Sequence, residues 1–436
     1  MSDAEPSWTV AFKTLGCKVN QVESEAIAAA LLGRGVAIVD ESEARVIVVN
    51  TCTVTGEADA KARKAVRHAL GRAGRPVVVV TGCLAALDAQ SVAALSERVV
   101  VERDKDRIAQ RVGALLGLDP VSAASPQQGR ARFRTRAMLK IGDGCDAFCT
   151  YCIVPYARGA PRGVAAEQVV AEAHRLVAAG ASEIVLTGIN IGRYRDPSEG
   201  VDLSALIAAV AATGIPRLRL SSIEPRDLTE RFISTVAATP AFCPHLHVPL
   251  QSGSDAVLAS MGRDYTTAHY AGLVDEARDA ISGLALTTDV IAGFPGETTY
   301  QAAQALAFCE SLAFRNMHVF RYSARANTPA ALRSDQVEAP EKSARALALR
   351  ELSLRLWRQD VESHLGEARE LLVEELVEDG TGQRVVAGRT RDYLRVRVTL
   401  AAAESDTLSI GDIVDVRLAG FESGRVAEVV SASLVR

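Results

Sequence analysis

At about 150 residues per domain, 436 residues leave room for roughly three domains, each large enough to bury its own core. With 48% hydrophobic and 23% charged residues the composition is that of an ordinary globular chain, which excludes disorder, collagen and coiled coil as descriptions of the whole. The net charge of -4 speaks against coating nucleic acid by bulk charge, though it permits local basic patches. No apolar run reaches the roughly 18 residues of a membrane span and no charged-then-apolar leader opens the sequence, so a cytoplasmic location and no membrane partner are expected. Eight cysteines are too sparse for a disulfide scaffold; in a reducing compartment, metal or redox chemistry is the better use for them.

Residues 7–118 alternate strand and helix. Strands are predicted at Trp8 to Thr14, Arg45 to Asn50 and Pro76 to Thr81, with helices from about Asn20 to Arg34 and Ala58 to Arg72. Continuous apolar runs such as Val46-Ile47-Val48-Val49 suit a parallel sheet buried on both faces, hence an open parallel α/β domain. Residues 119–135 turn to Pro, Ser, Gln, Gly and Arg, a linker composition. Over 136–364, short strands at Glu183 to Thr187, Arg217 to Ser221, His245 to Pro249, Leu284 to Ile291 and Asn316 to Tyr322 alternate with helices. That is the repeat of a full or partial parallel (β/α) barrel with its active site at the C-terminal strand ends. A long helix, Pro340 to His364, closes the unit. Residues 365–436 switch to period-2 alternation, as in Arg395-Val396-Arg397-Val398, which predicts a small antiparallel β-barrel.

The strongest local signal is Cys145-Asp-Ala-Phe-Cys149-Thr-Tyr-Cys152. A loop of that spacing turns three thiolates onto one face of an iron-sulfur cube and leaves the fourth iron open to bind something else. Two alternatives stand beside that reading. One is an incidental cluster; the other is a zinc site, which would want a fourth ligand at similar spacing, whereas His174 lies 22 residues beyond Cys152.

A second set is Cys17, Cys52 and Cys83. Each stands one to three residues past the C-terminal end of a predicted strand, and loops at that edge of a parallel sheet converge on one crevice. Three isolated buried thiols are the alternative. Cys243 and Cys309 fit no ligand pattern and read as packing residues.

The three-cysteine loop followed by a βα-barrel pattern resembles the radical S-adenosylmethionine superfamily. The segments Thr14-Leu-Gly-Cys17-Lys-Val-Asn20-Gln, Asn50-Thr-Cys52-Thr-Val-Thr55, His245-Leu-His-Val-Pro-Leu-Gln251-Ser-Gly253-Ser-Asp255 and Asp289-Val-Ile-Ala-Gly-Phe-Pro-Gly296-Glu297 sharpen this into a resemblance to the methylthiotransferases. The resemblance implies an α/β protein with an N-terminal three-cysteine domain, a radical-SAM partial barrel and a C-terminal RNA-binding TRAM barrel. It implies two 4Fe-4S clusters, one on Cys145, Cys149 and Cys152 with S-adenosylmethionine on its open iron, and one on Cys17, Cys52 and Cys83 that presents sulfur. It also implies tRNA as partner, with an electron donor and a sulfur donor that the residues do not identify. The tail Lys18-Val19-Asn20 is similar to the branch acting on N(6)-threonylcarbamoyladenosine. The alternatives are the isopentenyladenosine branch, the ribosomal-protein aspartate branch and, outside enzymes, a zinc-containing RNA-binding protein.

On the same resemblance, Tyr151 stacks near the adenine of S-adenosylmethionine, and Gly188 and Asn190 in Thr187-Gly188-Ile189-Asn190 border its methionine end. Glu224 accepts from ribose hydroxyls or is a solvated loop carboxylate, Gln251 lies past a strand end toward the site, and Asp289 contacts the cofactor or makes a structural hydrogen bond. His245 and His247 share one face of their strand, as contact or core residues. For RNA, the stretch Arg384, Arg389, Arg391, Tyr393, Arg395 and Arg397 offers phosphate contacts around a stacking ring, against a solvated charged face as the alternative. Arg130, Arg132, Arg134 and Arg136 form a second basic strip. The sequence departs from the family at Ala160 and Gly163, where Arg and Ser are frequent, and at Arg321 and Ala324, where Pro is frequent.

Overall fold

Unbroken apolar strands need cover on both faces. In the computed structural model, which describes residues 8–118, 135–378, 382–400, 408–423 and 428–435, they receive it in a five-stranded sheet. Its strands are β1 (Thr9–Thr14), β2 (Ala37–Ile38), β3 (Val46–Thr51), β4 (Val77–Gly82) and β5 (Val99–Val101), all parallel, in the order β2-β1-β3-β4-β5. Helices α1 (Lys18–Leu32) and α5 (Ile108–Leu115) cover one face, through Ile27, Leu31, Ile108 and Val112 on Val48. On the other, α2 (Gly56–Leu70), α3 (Cys83–Leu87) and α4 (Ala89–Ala93) pack Val66, Leu84 and Val92 on Ile47 and Val49. The short edge strands β2 and β5 have no counterpart in the sequence reading, because two or three residues carry no period.

Two units divide the chain, and this sheet belongs to the first, residues 1–133, 144–160 and 323–331. Within that unit lies α6 (Val154–Arg158), which packs against α3. The linker expected over 119–135 falls, but for Thr135, outside the described residues, and Arg130, Arg132 and Arg134 with it.

The second unit is residues 134–143, 161–322 and 332–436. Its strands begin with β6 (Ala137–Lys140), the short antiparallel pair β7 (Gly142–Asp143) and β8 (Arg162–Gly163), β9 (Glu183–Thr187) and β10 (Arg217–Leu220). They continue with β11 (His245–His247), β12 (Ala285–Ala292) and β13 (Asn316–Arg321). Parallel sheets β10-β9-β6 and β11-β12-β13 meet through bridges Leu218 to Phe242 and Ser222 to His247, which makes a partial six-stranded barrel wall. The covering helices are α7 (Ala166–Ala178), α8 (Leu203–Ala211), α9 (Glu230–Ala237), α10 (Asp255–Ser260), α11 (Thr267–Ala280), α12 (Thr299–Ser311) and α13 (Ala339–Ser363). Cys309 is fully buried in this core, and Cys243 is buried beside it.

The end of the chain forms a closed barrel of β14 (Ala368–Glu378), β15 (Arg384–Thr390), β16 (Arg395–Thr399), β17 (Ile413–Ser423) and β18 (Glu428–Leu434). Four seams are antiparallel, and the fifth, β16 to β18, is parallel. Among the described residues no helix is long and apolar enough to cross a membrane.

Buried charge joins this barrel to the wall of the larger one. Glu183, fully buried, accepts from Arg219 Nε at 3.0 Å and pairs with Arg217 at 2.9 Å, and both guanidinia also donate to the Thr390 carbonyl. Tyr393 lies within this cluster, its ring stacked on His245 at 4.4 Å with the Arg219 and Arg389 guanidinia 4.8 and 5.1 Å from its centroid. This corrects the expectation of a base-stacking ring, since the chain's own groups take the faces of Tyr393. Arg391 donates to the Pro240 and Phe242 carbonyls and Arg389 to Glu374 at 2.6 Å, so both already have partners within the chain. Arg136 is likewise withdrawn from the basic strip, being paired to Glu374 at 2.6 Å with its side chain 10% exposed.

Burial alone would raise the Glu183 pKa; the Arg219 and Arg217 charges outweigh it and hold the carboxyl below the usual range. A carboxylate depressed on folding stabilises above its unfolded pKa of about 4.3 and loses that contribution as pH falls through the folded value. Glu183→Gln, which strands two buried cations, is therefore expected to destabilise the second unit by about 3–5 kcal/mol at neutral pH in urea unfolding. The deficit should shrink below about pH 4.

Candidate active site

In a sheet of order 2-1-3-4-5 the chain leaves β1 and β3 in opposite directions, and ligands settle in the crevice beyond their C-terminal ends. Cys17 lies three residues past β1 at the N-cap of α1, Cys52 follows the last residue of β3, and Cys83 follows β4 as the first residue of α3. Burial pushes the Cys52 thiol up, and the charges of Cys83 and Cys17 add to that push, so the three thiols stand within electrostatic reach of one another. None of the eight cysteines forms a disulfide.

Fully buried Asn20 pins these loops: its side-chain amide donates to the Leu15 carbonyl at 2.7 Å and the Thr51 carbonyl at 3.0 Å, and its own carbonyl accepts from Asn50 Nδ2 at 2.9 Å. Asn20 is thus the clasp between the Cys17 and Cys52 loops. Two glycines leave the space the loops need. Gly16, at φ +97°, faces Cys52, whose Cβ would be 2.5 Å from an added Cβ. Gly82, at φ +89°, lies against Thr51, whose carbonyl would be 2.3 Å away.

The Cys145 loop belongs to the same unit. Gly144 at φ +81° and Phe148 at φ +44° turn it, the Cys145 amide donates to the Gly159 carbonyl at 3.0 Å, and the Cys152 amide closes a turn on Cys149 at 2.9 Å. The Ala147 amide points at Cys145 Sγ at 3.5 Å, a donor suited to a thiolate. Cys149 is buried, while Cys145, Cys152 and Tyr151 are half-buried. Three thiols from one tight loop fit an iron-sulfur cube with one corner left for an exogenous ligand.

Arg158, at the end of α6, was not singled out by sequence. Its side chain is 4% exposed and donates to Glu23 Oε1 at 3.1 Å and Asn20 Oδ1 at 2.5 Å. Burial pushes the Cys83 thiol up, and the Arg158 charge and its hydrogen bond to that thiol pull it back. The segment 323–331 ties both cysteine loops: Ser323 Oγ accepts from the Gly56 amide, Arg325 donates to Thr53 at 2.6 Å, and the Ala330 amide donates to the Thr150 carbonyl.

In the second unit the expected cofactor contacts gather at the C-terminal edge of the barrel wall. Gly188 and Asn190 follow β9, Glu224 follows β10 and Gln251 follows β11, while Asp289 lies within β12. The small size of Gly188 serves the chain itself, since an added Cβ would sit 2.8 Å from the Gly142 carbonyl. Gly163, one of the departures from the family, likewise has the Arg195 carbonyl 2.1 Å from where a Cβ would be. Asn190 is left-handed at φ +50° and lines a cavity of about 250 Å³ with Gly142, Arg162 and Arg195. Glu224 is held by Arg263. Asp289 Oδ1 receives His247 Nε2 at 3.1 Å and His318 Nδ1 at 3.4 Å, and His247 Nδ1 is fixed by Thr287 at 2.9 Å. Burial opposes the Asp289 charge, but the two imidazoles prevail and hold its carboxyl well below the ordinary range.

Residues 9–102 match the model of the Uncharacterized protein family UPF0004, and residues 139–309 that of the Radical SAM superfamily. A threonylcarbamoyladenosine tRNA methylthiotransferase of Bacillus subtilis is 37% identical over 89% of this chain and 90% of its own length. One of Thermotoga maritima is 32% identical over 93% and 98%. A tRNA-2-methylthio-N(6)-dimethylallyladenosine synthase of Endomicrobium trichonymphae is 30% identical over 92% and 99%. Among solved structures, the radical S-adenosylmethionine methyltransferase TsrM of Kitasatospora setae shares the fold, with a TM-score of 0.56 and 16% identity over 74% of this chain and 77% of that one.

Any side chain at position 82 pays for a left-handed backbone and meets the Thr51 carbonyl. Gly82→Ala is expected to destabilise the first unit by about 2–3 kcal/mol and to leave the second unchanged, which hydrogen exchange resolved by segment measures.

Proposed function

This chain belongs to the radical S-adenosylmethionine methylthiotransferase family, and from that premise we propose that it places a methylthio group on C2 of N(6)-L-threonylcarbamoyladenosine at position 37 of tRNA, beside the anticodon. The observation that carries this reading is the meeting of Cys17, Cys52 and Cys83 at one sheet edge, in the same unit as the Cys145 loop. One thiol set suffices to cleave S-adenosylmethionine; a second is what sulfur insertion requires. Choice of the threonylcarbamoyl substrate is supported by Lys18-Val19-Asn20, by Asn50-Thr-Cys52-Thr-Val-Thr55, and by the 37% identity to the Bacillus subtilis enzyme named for that nucleoside.

A 4Fe-4S cluster and S-adenosylmethionine follow from membership of the superfamily; the second cluster, on Cys17, Cys52 and Cys83, is part of the proposal. When bound, these groups supply one-electron cleavage of S-adenosylmethionine to a carbon radical strong enough for an aromatic C–H, which is too weak an acid for any side-chain base, and a sulfur to put in its place. Cys145, Cys149 and Cys152 hold the first cluster, with Tyr151 beside the adenine. Gly188, Asn190, Glu224, Gln251 and Asp289 orient the cofactor, and the imidazoles that clamp Asp289 keep it ionised and fixed in direction.

The domain assignment follows: 7–118 for the sulfur-presenting centre, 119–135 as linker, 136–364 for the radical barrel and 365–436 as a TRAM barrel that holds tRNA in the cytoplasm. The basic stretch Arg384, Arg389, Arg391, Arg395 and Arg397 supplies the RNA contacts of this reading, with Arg395 exposed on β16. The target base reaches the chemistry by leaving its stack.

Mass spectrometry of tRNA nucleosides from a strain lacking this gene tests the reading. The 2-methylthio form of threonylcarbamoyladenosine should vanish, with the unthiolated nucleoside accumulating, and should return with the intact gene but not with Cys145→Ala. Loss of the 2-methylthio isopentenyl form instead would move the substrate to the other tRNA branch, and an unchanged profile would overturn tRNA as substrate.

A further inference from the structure

Three side chains on the barrel wall of the second unit converge on one point. Strands β11, β12 and β13 are neighbours in one parallel sheet, with His247 in register with Thr287 and Asp289 in register with His318. Residues two apart on a strand share a face, so Thr287 and Asp289 point the same way, and the two imidazoles reach Asp289 from the strands on either side. Asp289 Oδ1 is 3.1 Å from His247 Nε2 and 3.4 Å from His318 Nδ1, and one ligand atom from each of the three lies within 4.8 Å of the others. Two donors held about 2.1 Å from one ion, at octahedral or tetrahedral angles, are about 3.0–3.4 Å apart, so these are the spacings of ligands around a single cation. The remaining gap, between the two imidazoles, closes by a turn of His318, whose side chain is 55% exposed.

Two features favour an ion here over a plain hydrogen-bonded cluster. Asp289 faces imidazoles alone: among the described residues no Lys or Arg pairs with it, whereas Glu183, Glu297 and Asp392 each have an arginine. The second nitrogen of His247 is also fixed, since Nδ1 lies 2.9 Å from the hydroxyl of buried Thr287, which is 3.0 Å from His245 Nε2 on its other side. A metal-bound imidazole uses such a bond to hold its tautomer and its angle. With Nδ1–H donated to Thr287, the Nε2 lone pair is aimed at the point where Asp289 and His318 converge. Magnesium and calcium take oxygen donors, whereas two imidazoles and a carboxylate suit zinc or ferrous iron.

We propose that His247, Asp289 and His318 form a mononuclear site for a divalent transition metal of the zinc or ferrous class, with its open coordination positions on the exposed side of His318. The site shares no residue with either cysteine set, so it goes beyond the proposed function and stands or falls apart from it. Its open positions take water or an oxygen donor of a bound ligand. Thr287 is a positioning residue, which acts through His247.

Zinc chloride is the probe. The full chain, with its iron-sulfur content reconstituted, is titrated anaerobically and freed of unbound ion by gel filtration; zinc per chain is counted by mass spectrometry, and X-ray absorption at the zinc edge reads the ligand type. The parent should hold one zinc on nitrogen and oxygen ligands. His318→Ala and Asp289→Asn should each weaken binding at least tenfold, and Thr287→Val by about 10–100-fold. His318→Cys, which keeps a ligand, should retain the zinc and add one sulfur to its shell. A parent that holds no zinc, zinc bound through sulfur alone, or parent-like binding in either His318→Ala or Asp289→Asn overturns the site. Should Asp289→Asn fail to accumulate as folded protein, His318→Ala decides, because that side chain is mostly exposed. The tRNA nucleoside profile and the zinc count are separate readouts, so failure of one reading leaves the other standing.

Discussion

Parallel strands all end at the same edge, and the candidate chemistry of the first unit depends on that. Residues separated by 35 and 31 positions, Cys17 to Cys52 and Cys52 to Cys83, become neighbours because each follows a strand of one sheet. The order β2-β1-β3-β4-β5 puts the parting of the chain between β1 and β3, where the loops of Cys17 and Cys52 emerge side by side. Asn20 and the two bare glycines then bring the loops closer than side chains would allow.

Buried charge holds the elements of the second unit together. In the second unit Glu183 stands among Arg217 and Arg219, with backbone carbonyls taking further donors, and the cluster joins the barrel wall to the C-terminal barrel. Arg315 repeats the device with Asp392 at 2.6 Å and Asp360 at 2.7 Å. These are joints, whose donors meet carboxylates and carbonyls from neighbouring elements.

Much of this was legible in the sequence, for reasons that differ by element. Strands β3, β4 and β9 announce themselves because burial on both faces demands unbroken apolar runs, and α13 because 25 residues sustain a helical period. The cysteine stations follow from the ends of those strands. Arg158 was not legible: in the sequence it is one arginine in a Gly- and Pro-rich stretch, and only the fold shows that Glu23, 135 positions away, lies against it. Tyr393 misled for the complementary reason. An aromatic among arginines has the composition of a nucleic-acid surface, and nothing local reveals that His245 and the chain's own guanidinia occupy its faces.

The boundary between the units is crossed at 133/134, 143/144, 160/161, 322/323 and 331/332. A protein assembled by joining independent cassettes end to end would show one crossing for each join. Here the first unit borrows two pieces of chain from far downstream: one bonds to the Cys52 loop and the other to helix α1. Neither half can therefore be lifted out by a single cut, and a gene fusion or truncation that respects the apparent order of domains would still remove part of the neighbour.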